Sequence, residues 1–493
     1  MQTLPSTFHC QRSASGVTEG LGGGKPPLAL LVRMLWAAVL VLPAVGASAG
    51  VVFTNLHSFA GVHDGANPYS GLVAGSDGSL YGTTSSGGTN NLGTVFKISP
   101  GGALTSLYSF NGTDGAAPYT TLVRGADGVF YGTTHAGGVG NSGTIFQFTT
   151  NNTLTTLFSF PGTNDPYQGS YPDAALVQAA DGSFWGTAGY GGMTNASYRG
   201  NGYGTVFQLN TNGTVTVPVL FANTNGAYPL GGLVLGQDGD FYGAAAWGGR
   251  GIARGFPGYG TIFKLSGDGT ITNLYVFTGF DDGGFIYARL VQGRDGYLYG
   301  AAFGGGAAGY GTLFKISTNG LFSPLYTFDV SDSGSPYGGM IEGSDGNFYG
   351  TTYGAYAGSG SVFRVTPDGG FTNLVLFNRT NGARPVGALV QGADGDFYGT
   401  TSEGGAYGFG TVFKVSVPFP PVIKALTLTN GTVTLTWSAV AGQAYRVQYT
   451  DDLSQTNWSY LNKPAVADSG VMTATDAQGG NPSAHRYYRV VLQ

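Results

Sequence analysis

The chain is poor in the residues that most chemistry needs. Its 493 residues hold one cysteine, Cys10, five histidines, and only 10% charged side chains. One cysteine excludes an internal disulfide and a cysteine-built metal site. Glutamate is scarcer still, since beyond residue 49 only Glu342 and Glu403 remain. A net charge of −5 gives no basic footprint for nucleic acid or an anionic membrane. Long apolar runs are missing as well. The best is Leu35–Val45, short of the roughly 20 residues that a membrane-spanning helix needs. Lys25 and Arg33 precede this run and Ala47-Ser48-Ala49 follows it. That order reads as a secretory signal peptide, with a long leading stretch and cleavage near Ala49/Gly50. The expected mature chain is exported, monomeric, free of cysteine and without a membrane span. No P-loop, Gly-x-Ser-x-Gly elbow or zinc-binding helix motif occurs, so no cofactor and no metal is expected.

What the chain has is glycine, 89 residues, and 13% aromatics, written as a repeat. Asp-Gly pairs recur at Asp77, Asp127, Asp181, Asp238, Asp295, Asp345 and Asp394. A period of this size carried by short β-rich segments points to a propeller or a solenoid. The unit over residues 119–160 divides into four strands. Strand A is Thr121–Arg124, and Asp127-Gly128 turns it into strand B, Val129–Thr134. The loop His135–Ser142 leads to strand C, Gly143–Phe148, and a second turn at Asn151-Asn152 to strand D, Leu154–Phe160. Asp-Gly between β-rich runs is a strong hairpin signal, and four antiparallel strands make one propeller blade. The ends distinguish propeller from solenoid. The last C strand, Gly410–Val415, has no D strand after it, whereas Val51–Phe59 is a D strand with nothing before it. Joining the two closes a ring and removes exposed sheet edges, whereas an open array needs polar caps. The expected fold class is all-β: a seven-bladed β-propeller closed by an N-terminal strand, followed by a small β-sandwich. The expected boundaries are 1–49 for the signal, 50–416 for the propeller, 417–421 for a Pro-rich linker and 422–493 for the sandwich. Trp437 is the candidate core residue of that sandwich.

The unit Asp127-Gly-Val-Phe-Tyr-Gly-Thr-Thr134, then Gly137-Gly138, Gly143-Thr-Ile-Phe146 and Leu157-Phe-Ser-Phe160, resembles the Gloeo/Verruco tandem-repeat family of secreted bacterial proteins. The likeness covers about residues 51–416. Trp185 departs from it by replacing Tyr, and Ala-Ala stands for Thr-Thr in units 4 and 5. The resemblance implies a secreted or cell-surface location and brings no catalytic residue with it. The tail, with Trp437, Tyr445–Tyr449 and Tyr487–Val490, looks like a fibronectin-type-III or Ig-like module.

Function is expected on the face that carries the B–C and D–A loops, which are longer and more variable than the opposite turns. The long B–C loops of units 3 and 4 break the repeat. They supply Tyr190, Tyr198, Arg199, Tyr203, Trp247, Arg250, Phe256 and Tyr259, aromatics and arginines suited to a glycan or an extended peptide. Two readings stand: a binding groove, or loops that pack on each other. A Pro/Tyr element recurs where the D–A loops end and would place aromatics round the channel mouth, either to stack on sugars or to close the blades. The Asp-Gly aspartates read as turn residues; Asp238/Asp240 and Asp281/Asp282 are weak candidates for Ca²⁺. Glu403 and His135 are alternative acid/base candidates, with Asp64 or Asp114 as a second carboxylate. The expected activity is binding of a polysaccharide or surface protein without catalysis. A carbohydrate-active hydrolase or lyase is the first alternative and a structural adhesion protein the second.

Overall fold

A computed structural model describes residues 50–162, 168–193, 202–249, 258–355, 358–418, 421, 423–439, 443–452, 457–468, 471–477 and 486–492. The expected signal segment lies outside them. The described chain is β-structure with no α-helix, in a propeller-like arrangement of repeated four-stranded sheets. Unit 1 is Val73–Ala74, Leu80–Thr84, Thr94–Ile98 and Leu104–Ser109, paired in that order. Six sheets follow this plan. In a seventh sheet, Val390–Gln391, Phe397–Thr401 and Thr411–Ser416 are joined by Val52–Ser58, the first strand among the described residues.

Position in the sheet sets burial. Strand B of unit 1 is buried at all five residues and strand C at four of five, whereas strand D has no buried residue, with Thr105 exposed and the rest half-buried. A strand covered on both faces must be nearly all apolar or small. The repeated letters follow from that. Each C strand carries a fully buried phenylalanine, such as Phe96, Phe146, Phe314 and Phe413. Its ring lies across the glycine of strand B. A Cβ on Gly82 would sit 2.6 Å from Phe96 Cζ, and one on Gly300 would sit 2.3 Å from Phe314 Cζ. The tyrosine beside that glycine reaches the next unit. Tyr81 meets Phe130 at 4.4 Å between ring centroids, Tyr131 meets Phe184 at 4.1 Å, and Tyr299 meets Phe348 at 3.8 Å. Trp185 occupies the same place against Phe241 at 4.8 Å. The same tyrosines bond back to the Asp-Gly turn. Six of them donate to the aspartate four residues earlier, at 2.6–3.2 Å, while its other oxygen accepts the backbone N–H two residues on. Six of the aspartates lock their hairpins this way, and Asp181 does so by accepting from Ser183 N and Ser183 Oγ.

The inner strands are shorter than the sequence suggests. Strand A of unit 2 is Val123–Arg124 instead of Thr121–Arg124. The cause is crowding where the units converge. A Cβ on Gly71 would lie 2.6 Å from the Ala388 carbonyl oxygen, and one on Gly231 would lie 2.5 Å from that of Ala288. Backbones this close leave no width for a longer paired strand.

Beyond residue 421, Ile423–Thr429, Thr432–Ser438 and Val471–Asp476 form one sheet. A second is built on Ala444–Thr450, which pairs with Ser459–Tyr460, Ala465–Val466 and Tyr487–Leu492. Trp437, 1% exposed, is buried with Leu435, Tyr445, Val447 and Val490.

Candidate functional site at the mouth of the central cavity

A cavity of about 670 Å³ opens between the inner strands and is lined by residues from all seven units. Its geometry is clearest when the units are aligned on the buried Leu or Met of strand A, from Leu72 to Leu389. Three residues earlier stand Tyr69, Tyr119, Asp173, Leu230, Tyr287, Tyr337 and Val386, all at the cavity wall. Tyr287 and Tyr337 stack at 5.1 Å with planes 19° apart, and Tyr69 and Tyr119 meet at 5.2 Å. Tyr69 and Tyr119 are 39% and 37% exposed. Burial raises the pKa of all four hydroxyls, and that of Tyr337 reaches about 12. At neutral pH the mouth thus presents four phenolic groups able to donate.

The residue before the mouth ring is Pro in six units and Ile286 in the seventh. The residue before that has a left-handed backbone throughout: Asn67, Ala117, Tyr171, Tyr228, Phe285, Ser335 and Arg384 have φ of 50–61°. None is glycine, and the pre-proline position disfavours a helical backbone further. Two backbone hydrogen bonds per unit offset the strain. In unit 2 the Ala117 N–H donates to Leu92 O at 2.9 Å, and its carbonyl accepts from His135 N at 3.0 Å. The equivalent pair recurs in every unit, including Asn67 N to Phe409 O between the last unit and the first. Strain of this kind gathers where structure is held for a purpose. Here it stitches each D–A loop to the preceding unit and fixes where the mouth tyrosines stand.

This left-handed ring separates two groups of aromatics that the sequence ran together. Tyr171 and Tyr228 precede Pro and sit in the outer ring, so the cavity wall carries Asp173 and Leu230 in those units. The outer ring is where the expected B–C loop residues arrive. Tyr190 packs edge-on against Tyr171 at 5.5 Å and Tyr228 at 5.0 Å. Trp247 meets Phe285 at 4.6 Å, and Tyr259 meets Phe285 at 5.5 Å. Tyr203, 5% exposed, is part of the core between units 3 and 4. The expected Tyr198, Arg199, Arg250 and Phe256 lie outside the described residues.

Charged groups complete the mouth. His135 Nδ1 lies 2.6 Å from Asp173 Oδ1, with the His135 ring between Tyr119 at 5.0 Å and Tyr171 at 4.7 Å. Across the mouth Arg384 bonds Glu403 at 2.7 Å and covers the Tyr353 ring at 5.1 Å. Neither proposed carboxylate partner of Glu403 is idle. Asp64 accepts from Ala60 N, Gly61 N and His57, and Asp114 from Asn111 N and Tyr108 Oη. Both hold their own D–A loops. Asp238 and Asp240 share Lys264, and Asp282 binds Tyr275 and Thr278. Sequence reasoning passed over Asp173, Arg384, Tyr353 and Arg289. Asp173 and Arg289 were visible as departures from the repeat, but each is a single substitution inside a regular segment and not a long loop.

A family model, the Gloeobacter/Verrucomicrobia repeat, matches residues 46–250 and 251–436. The chain belongs to the Gloeobacter/Verrucomicrobia repeat family. No curated protein sequence matches it. Among solved structures, it is similar to the extracellular domain of a putative hybrid two-component system from B. thetaiotaomicron, at 11% identity and a TM-score of 0.48. That match covers 88% of this chain, which spans only 57% of the other. A putative 6-phosphogluconolactonase from Bacteroides fragilis matches at 15% identity and a TM-score of 0.45, over 82% of this chain and 98% of its own. A lectin from Burkholderia pseudomallei matches at 10% and 0.44, over 80% and 97%. Likeness at this level carries no argument about what this Gloeobacter/Verrucomicrobia repeat protein binds. Among the described residues no helix is long and apolar enough to cross a membrane.

Proposed function

We propose that this chain is an exported, non-enzymatic propeller of seven blades, closed by its N-terminal strand, that binds a glycan around the central cavity. The observation that carries the reading is the mouth ring. Tyr69, Tyr119, Tyr287 and Tyr337 surround an open cavity with protonated hydroxyls, and two of them expose more than a third of their surface. Flat apolar faces edged with hydrogen-bond donors match a sugar ring, which is apolar on its faces and hydroxylated at its rim. Tyr190, Trp247 and Tyr259, at the described ends of the long B–C loops of units 3 and 4, add aromatic rings beside the mouth ring. The C-terminal sheets serve as a fibronectin-type-III or Ig-like spacer or attachment module. The test is a glycan and peptide array with the mature chain, followed by calorimetry on the hits. Tyr69→Ala with Tyr119→Ala is expected to weaken glycan binding at least roughly tenfold, since stacked aromatic contacts contribute on the order of 1 kcal/mol each. Trp247→Ala with Tyr259→Ala is expected to weaken it less. The reading fails when no glycan binds, or when binding survives both double variants unchanged.

A second reading, a carbohydrate-active enzyme, is favoured by one observation. His135 is held by a carboxylate at 2.6 Å beside the same cavity, an arrangement that orients a general base. Polysaccharide turnover lost in His135→Ala would establish it.

A further inference from the structure

We infer that the central cavity is an anion site in which the Arg289 guanidinium holds the carboxylate of an acidic sugar, a uronate-type residue at the end or branch of a glycan. The inference rests on the glycan reading above and deepens it. Its basis is one break in the sevenfold pattern. At the position before the buried Leu of strand A, six units hold Gly71, Thr121, Ala175, Gly232, Gly339 and Ala388. The crowding of inner strands demands small residues there. Unit 5 holds Arg289, whose long cationic side chain lines the cavity.

Among the described residues Arg289 has no hydrogen bond from its side chain and no ion pair. The acidic residue of the cavity wall is Asp173, which is engaged by His135 at 2.6 Å. The cavity wall that Arg289 shares includes the apolar Leu72, Leu290, Val291 and Met340 as well as Thr120 and Thr121. The side chain is half-buried at the cavity wall, and this burial pushes its pKa down from the usual value. A half-buried charge without a partner is unfavourable and is retained where a partner of opposite sign arrives. The chemistry selects that partner. A guanidinium fork fits a carboxylate through two parallel hydrogen bonds. One cation matches a monoanion, and the Asp173 carboxylate at the mouth disfavours a dianion such as a phosphate monoester. The cavity of about 670 Å³ falls within the roughly 300–1,000 Å³ of small-molecule clefts. A sugar ring against the mouth tyrosines can therefore direct a carboxylate inward to Arg289.

The experiment compares three probes by calorimetry on the mature chain: a galacturonate or glucuronate oligosaccharide, the same oligosaccharide with its carboxyls reduced to alcohols, and propionate together with a peptide bearing a free C-terminus. Two variants accompany them. Arg289→Gly installs the residue that three other units already carry, and Arg289→Lys keeps the charge without the fork. Melting temperature controls for folding. The acidic oligosaccharide is expected to bind, to lose roughly 10- to 100-fold in Arg289→Gly and less in Arg289→Lys. The reduced oligosaccharide is expected to bind weakly and to ignore both variants. Equal binding of acidic and reduced forms, unchanged in Arg289→Gly, overturns the inference and leaves the glycan reading standing. Arg289-dependent binding of propionate or the peptide alone overturns the acidic-sugar assignment and the glycan reading together.

Discussion

At the scale of single residues, the repeat can be tested against its own exceptions. In units 1 and 2 the last Thr of strand B bonds the first Thr of strand C, Thr84 to Thr94 at 2.8 Å and Thr134 to Thr144 at 2.9 Å, both fully buried. Unit 3 has Ala188 in place of the first, and the buried Thr205 hydroxyl is left without a partner among the described residues. Units 4 and 5 also have Ala there, but Thr261 and Thr312 donate to carbonyls of Asn225 and Asp282. Ala188→Thr should therefore restore a buried hydrogen bond and stabilise the fold by about 1 kcal/mol, read as a higher denaturation midpoint in urea. A second prediction concerns acid. Lys97 holds the Asp77 carboxyl at 2.6 Å and, with the turn hydrogen bonds, brings its pKa down to about 2. A depressed carboxylate pKa contributes stability above the unfolded value of about 3.9 that is lost as pH falls through the folded one. Lys97→Met should raise the Asp77 pKa and shrink the part of the melting-temperature decline that falls between about pH 4 and 2. An unchanged profile over that window refutes the linkage. Reading the Asp-Gly aspartates as turn residues was possible from sequence because their chemistry is local. The bond from Tyr108 Oη to Asp114 at 2.5 Å was not read, since it joins a strand to a loop that carries no fixed spacing signal.

At the scale of elements, the D–A connection concentrates the most unusual backbone. Seven non-glycine residues at positive φ, six of them before proline, are an improbable choice on local grounds. A left-handed conformation costs an L-residue roughly 1–2 kcal/mol. The two backbone bonds at each site, one to the preceding unit and one to the B–C loop of the same unit, explain why it persists. Ala117→Gly keeps both bonds and removes the Cβ penalty, so it should stabilise the chain by about 1 kcal/mol even after the added freedom of the unfolded glycine. Thermal denaturation checks this, and a fall in melting temperature means that the Ala117 methyl contributes packing that outweighs its strain. Strand order and the short turns were legible because hairpin chemistry is written in adjacent residues. The length of strand A was not, because the crowding of Gly71 against Ala388 joins residues more than three hundred positions apart. The same distance hid the split of the aromatics into a cavity ring and an outer ring. Tyr171-Pro172 and Pro118-Tyr119 look alike as letters, but φ places their tyrosines on different tiers.

At the scale of the whole molecule, the seam between the strand Val52–Ser58 and the last repeat governs integrity. Val52–Ser58 pairs along Thr411–Ser416 with a bulge between Asn55 and His57. Phe53 packs on Phe377 and Phe413 at 5.9 and 5.8 Å, and the fully buried Phe59 meets Phe96 of unit 1 at 5.3 Å. Residues 50–59 thus contribute to the cores of units 7 and 1 at once. Phe59→Ala alone should cost about 3–5 kcal/mol through the cavity it leaves. Removing residues 50–59 deletes both rings and exposes the edge of Thr411–Ser416, a free strand poised to pair with another chain. That variant should melt far lower and associate in solution, with the cavity site lost because its wall draws on unit 7 through Val386 and Ala388. A peptide of residues 50–60 added in trans should re-form the strand by edge addition and raise the melting temperature with its concentration. The choice between a ring and an open array turns on this measurement. In an open array the terminal strand adds only to its own sheet, so truncation would lower stability without changing anion or glycan binding in the distant unit 5. In a ring the loss at the seam is felt at Arg289, because the inner strands of all seven units bound the same cavity.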